Sequence, residues 1–208
     1  MQKQSLGSMV CVFLVIMIVW AGYRYFFILP EWADEFIVKP LIYLLPLLIV
    51  KNSFAGLGIT KNKFWFYVLL GLGLGILFLI ESILVKFFKY GAIQMLTVSP
   101  SGLLFNLCIA LATGFTEETV FRGYFFQRFM GVFTNEMLAN IISSFMFTII
   151  HLPLAIFSLH YSGKDLFMYC VQIYALGTIF AFVFARVKSI IPTSIAHAIW
   201  NFSNVFIK

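Results

Sequence analysis

Long apolar runs separated by short polar breaks dominate this chain, at approximately 8–29, 36–50, 64–85, 102–121, 137–158, 166–185 and 189–206. A helix needs about 20 apolar residues to cross a bilayer. The runs are continuous rather than alternating, which selects helices over the short alternating strands of a membrane barrel. The pattern predicts an all-α, polytopic transmembrane helical bundle of about seven spans, within a range of six to eight. The second run is short and carries Pro40 and Pro46, which predicts a kink or a tilt. The fourth is predicted to continue as helix through Arg128. The first is too long for a signal-peptide core and lacks a small-residue cleavage signal, so it reads as the first transmembrane helix.

The breaks between the runs set the organisation. The stretch from Lys51 to Lys63 carries Gly56, Gly58 and several lysines and reads as a cytoplasmic loop. Glu31, Asp34 and Glu35 make the preceding break acidic, and together these features favour a cytoplasmic N-terminus. Further on the bias nearly cancels, with Lys86, Lys89 and Lys164 set against Arg128, Arg186 and Lys188. No linker is long enough to divide the chain, so residues 1–208 read as one integral-membrane domain. Gly71, Gly73 and Gly75 form a GxGxG, but no strand precedes it and a phosphate loop is excluded by that context. Gly71 and Gly75 stand four apart, which predicts a close helix–helix approach. Glu81, near the end of the same run, reads as interfacial.

Composition sharpens this picture. The chain is 62% hydrophobic and 11% charged, with a mean hydropathy of +1.00, whereas soluble domains carry about 25% charged residues. The expected location is a membrane, in a multi-pass arrangement. The net charge of +6 is scattered near the ends of runs, which fits anchoring to anionic headgroups and excludes a nucleic-acid partner. Cys11, Cys108 and Cys170 lie in apolar runs without CxxC spacing and read as buried free thiols.

Against this background three groups of polar residues stand out. Glu117 and Glu118 lie in an apolar stretch with Arg122 shortly after, and a charged side chain at mid-bilayer costs roughly 2.5–3.5 kcal/mol on insertion scales. Residues four apart share a helix face, so Arg122 should lie over Glu118 and pair with it. Glu117 then faces another way and is free to serve as general base or acid. Phe147 and His151 share a face in the next run, and His197 and Asn201 share one in the last. A packing cluster of ions and interhelical hydrogen bonds would use the same residues. Convergence on one buried polar site is the more economical reading, because few other ionisable residues are expected at membrane depth. Such a site holds a base, its partner and donors for an oxyanion, which is the equipment for hydrolysing an acyl bond with water.

Glu117-Glu118-Thr-Val-Phe-Arg122-Gly123 matches EExxxRG, Phe147 to His151 matches FxxxH, and His197 to Asn201 matches HxxxN. In that order, over roughly residues 102–205, the chain resembles the CPBP family, the CAAX-protease and bacteriocin-processing (Abi) intramembrane peptidases. Eukaryotic relatives of that family are the CAAX endopeptidases that trim prenylated proteins. The resemblance implies glutamate-dependent proteolysis in which Glu117 and His151 activate water. It also implies that His197 and Asn201 steady the oxyanion, while Glu118 and Arg122 hold the catalytic helix. The implied substrate is a hydrophobic or membrane-associated peptide or protein: a prenylated C-terminus, a leader peptide or a membrane protein. No cofactor is expected. A zinc-dependent version would take Glu117, His151 and His197 as ligands, although the HExxH spacing is absent. Two other functions would also place these groups in the membrane: a proton-coupled transporter, and a catalytically inert scaffold or bacteriocin-immunity protein.

Overall fold

In the computed structural model the described residues are 5–49, 56–60, 62–93 and 95–207. They form seven continuous helices: α1 (Leu6–Phe26), α2 (31–49), α3 (Phe64–Tyr90), α4 (Pro100–Phe133), α5 (Glu136–Ser158), α6 (Gly163–Val187) and α7 (Ile191–Phe206). The all-α bundle expected from the apolar runs is therefore what the chain forms, and its seven helices follow the seven runs. Five of them, α1, α3, α4, α5 and α6, are long and apolar enough to cross a membrane. The other two fall short for physical reasons. Helix α2 is interrupted by charged residues near its start, and α7 has 16 residues, a length of about 24 Å at 1.5 Å per residue. Of the polar stretch expected as a loop between Lys51 and Lys63, residues 51–55 and 61 lie outside the described residues.

Local chemistry fixes where the helices begin. Ser99 caps α4 by accepting from the Gly102 amide at 3.1 Å, with Pro100 in the first turn where its missing N–H costs nothing. Asn135 caps α5 by accepting from the Leu138 amide at 3.0 Å. Helix α3 ends at Gly91, whose φ of 72° provides the left-handed C-cap.

Three helices contain a wider, π-type turn: Asp34–Val38 in α2, Thr119–Phe126 in α4 and Leu154–Ser158 in α5. In α2 the Lys39 amide reaches back to the Asp34 carbonyl, immediately before Pro40, which has no N–H to give. In α5 the wide turn follows Pro153 directly. Turns of this kind alter which side chains face inward and concentrate at functional sites.

The acidic break expected between the first two spans is not a loop. Helix α2 begins at Glu31, so Asp34 and Glu35 lie inside it and are buried. Asp34 pairs with Arg24 at 2.6 Å and accepts from the Tyr23 hydroxyl. Their charges are consumed inside the protein and give no support to an orientation argued from loop charges. Cys11 and Cys108 are free but exposed on the bundle rather than buried. The runs that carry them are apolar on the outer face as well, because that face meets lipid. Glu81 accepts from Gln172 at 3.3 Å, a contact between α3 and α6.

The closest helix packing joins α3, α4 and α7. A Cβ on Gly71 would lie 2.9 Å from the Pro192 carbonyl oxygen, and one on Gly75 would run into Ile199. A Cβ on Gly114 would lie 2.6 Å from the Ser194 carbonyl oxygen. The predicted approach at Gly71 and Gly75 is thus realised against α7, the helix that carries His197.

Candidate active site

Glu118 and Arg122 are buried to 0% and 1% exposure, and Arg122 Nη1 lies 2.8 Å from Glu118 Oε1. The pairing read from four-residue spacing survives even though the wide turn begins at Thr119. The guanidinium also donates through Nη2 to the Gly177 carbonyl of α6 at 3.1 Å. Its Cζ lies over two rings, 4.3 Å from the Phe147 centroid and 5.3 Å from that of Phe180. Arg122 therefore ties α4 to α5 and α6.

Glu117, on the neighbouring face, is 2% exposed. Its Oε2 lies 3.4 Å from His151 Nε2 and 3.7 Å from His197 Nε2, and accepts no hydrogen bond from the described residues. Each imidazole is anchored at its other nitrogen. His151 Nδ1 is 2.6 Å from the Phe147 carbonyl oxygen. A carbonyl only accepts, so Nδ1 carries the proton and Nε2 is the nitrogen that exchanges one. His197 Nδ1 lies 3.4 Å from Glu118 Oε1, so Glu118 orients the second imidazole as well as pairing with Arg122. Both rings thus present Nε2 to the same carboxylate oxygen. Phe180 stacks on His197 at 5.4 Å, and Phe147 meets His151 edge-on at 4.6 Å.

Asn201, one turn beyond His197, lines the same cavity as Glu117, His151 and His197. The cavity volume is about 470 Å³, within the usual range for a ligand site. All seven residues singled out by the motifs are brought to this region. Glu117, His151, His197 and Asn201 line the cavity, while Glu118, Arg122 and Phe147 pack behind it.

Sequence reasoning missed what lies on the other side of Glu117. Lys39 of α2 is 3% exposed and donates to Glu117 Oε1 at 3.1 Å and to Glu35 Oε1 at 2.5 Å. Glu35 Oε2 accepts from Thr113 at 2.7 Å. The expectation that few other ionisable groups lie at depth was wrong, and Glu117 is not without a cationic partner. Two signals pointed there: Glu35 and Lys39 stand four apart, as do Thr113 and Glu117. Lys39 and Glu35 were hidden by their place at the edge of an apolar run, where charges ordinarily mark a loop.

Among the described residues, no group of three His, Cys, Asp or Glu side chains is arranged to hold a metal ion. The set that a zinc-dependent version would take, Glu117 with the two histidines, has one carboxylate oxygen already bound to an ammonium.

A family model described as type II CAAX prenyl endopeptidase Rce1-like matches residues 99–203, a span that runs from the cap of α4 past Asn201. No curated protein and no solved structure matches the chain. The match takes in just over half of the chain and every motif position, and with five apolar helices around it the protein belongs to the Rce1-like CAAX endopeptidases, as an integral-membrane protease of that family.

Proposed function

We propose that the protein is a glutamate-dependent intramembrane endopeptidase that cleaves hydrophobic or membrane-associated peptides with an activated water and no metal. The observation that carries this reading is the presentation of two Nδ1-anchored imidazoles to the one oxygen of Glu117 that Lys39 does not hold. Water between Glu117 Oε2 and His151 Nε2 gives up a proton to that pair as its oxygen attacks the scissile carbonyl. Asn201 donates to the oxyanion, and His197, fixed on Glu118 through its Nδ1–H, donates there in the form that also carries a proton on Nε2. The proton then passes to the departing amine nitrogen, and the C–N bond breaks. Glu118, Arg122 and Phe147 hold the three helices that carry the catalytic residues, α4, α5 and α7, in register.

The substrate class follows from the family and the setting: a prenylated C-terminal segment first, with leader peptides and membrane proteins as further members. The cavity supports this class, since Tyr161, Tyr169 and Trp200 line it beside the carboxylates. The bacteriocin-processing side of the resemblance supports a location in the plasma membrane of a prokaryote. Glu117→Gln tests the reading. Cleavage of an internally quenched farnesylated peptide by the purified protein is expected to vanish, with membrane insertion unchanged. Cleavage at the wild-type rate refutes Glu117 as the base.

A further inference from the structure

Lys39 lies outside residues 99–203 and on α2, which no motif marks. Its ammonium nevertheless closes a ring across two helices. Lys39 Nζ binds Glu117 Oε1 and Glu35 Oε1, Glu35 Oε2 accepts from Thr113, and Thr113 stands one helical turn before Glu117 on α4. The Trp20 ring of α1 lies 5.6 Å from the same ammonium. Glu35 thus holds Lys39 by one oxygen and α4 by the other, so the position of Lys39 relative to Glu117 is fixed from both sides.

The ring has a chemical consequence. A carboxylate free to rotate presents either oxygen, and a base that samples several poses seldom meets its target in line. With Oε1 bound to the ammonium, only Oε2 remains to face His151 and His197. A lysine serving only to neutralise Glu35 would have no need to reach a second helix. One serving chiefly to bind substrate would keep its donors for it, yet two of the three N–H groups of this ammonium are already held by carboxylates.

We propose that Lys39 is the positioning residue for Glu117: it pins Oε1 and so dedicates Oε2 to proton transfer. The inference rests on the reading of Glu117 as the base and extends the functional unit into the N-terminal part of the chain.

The test is steady-state cleavage of an internally quenched farnesylated peptide by the full-length protein in detergent micelles. Lys39→Met alone strands two buried carboxylates and can unfold the protein, so it is combined with Glu35→Gln, which leaves the net charge of the cluster as in the wild type. The double variant is expected to melt near the wild-type temperature and to lose about 100-fold in kcat, the scale of a misplaced catalytic group, with KM within about threefold. Lys39→Arg, which retains a cation able to span both carboxylates, is expected to recover most of that loss. Wild-type kcat in the double variant overturns the inference, as does a loss carried by KM alone. If Glu117→Gln is inactive while the double variant is not, only the role of Lys39 falls. If Glu117→Gln is itself active, the reading of the site falls first.

Discussion

Arg122 stands 4.3 Å from the centroid of Phe147, and that ring also meets the His151 imidazole edge-on at 4.6 Å. One phenyl group therefore transmits the position of the α4 cation to the imidazole on α5. Phe147→Leu keeps an apolar side chain but removes the face that receives the guanidinium. A desolvated cation–π contact and the accompanying loss of packing are together worth about 2 kcal/mol. We expect a lower melting temperature in detergent and a reduced kcat, with KM little changed. Wild-type kcat in Phe147→Leu would show that the ring serves stability alone.

The Glu118 carboxylate serves two partners, Arg122 at 2.8 Å and His197 Nδ1 at 3.4 Å. Removing one member of a buried ion pair costs about 3–5 kcal/mol, whereas replacing both by apolar groups is often neutral. Arg122→Met is expected to be strongly destabilised. Adding Glu118→Leu to it should restore most of the melting temperature. Activity should not return with stability, because the double variant still lacks the anchor that aims His197. Thermal unfolding and kcat measured on the same preparations separate the two roles, and recovery of both would assign Glu118 to packing alone.

The seven helices and the Glu118–Arg122 pair were legible in the sequence for simple reasons. Apolar runs of membrane length leave little choice of fold, and four-residue spacing survives a locally widened turn. Spacing also showed that Glu117 leaves the face of Arg122. It could not show what Glu117 meets, because Lys39 is remote in sequence and reaches it only when α2 packs on α4. Asp34 and Glu35 were misread by the same limitation. Charges at the edge of an apolar run ordinarily mark the water interface, and it is Tyr23 and Arg24 from α1, Thr113 from α4 and Lys39 one turn along α2 that make their burial tolerable. The wide turns at Asp34–Val38 and Thr119–Phe126 have no sequence signature as clear as the proline that precedes Leu154–Ser158.

Metal dependence has a direct test. A dication ligated by Glu117, His151 and His197 would sit beside the Lys39 ammonium, which already binds Glu117 Oε1, and close to the Glu118–Arg122 pair. Like-charge repulsion in a buried, low-dielectric setting opposes it. Cleavage is expected to persist after exhaustive treatment with EDTA and phenanthroline. Loss of activity that added zinc restores would replace the water-activation scheme with a zinc-bound one.

Gly114 supplies the last prediction, because it sets the distance between the helix of the glutamates and the helix of His197. A Cβ there would lie 2.6 Å from the Ser194 carbonyl oxygen and 3.5 Å from the His197 Cβ. The first contact is with backbone, which no rotamer change relieves, so α4 and α7 must separate to admit even one methyl group. Separation lengthens the approaches of His197 to Glu117 and Glu118, already 3.7 and 3.4 Å. Gly114→Ala should therefore lower both the melting temperature and kcat. Gly73 provides the control, since a Cβ there meets nothing within 4 Å. Alanine at an unobstructed helical glycine stabilises by about 0.5–1 kcal/mol, so Gly73→Ala should keep full activity and melt no lower than wild type. Equal behaviour of the two variants would mean that the α4–α7 contact does not set the geometry of the site.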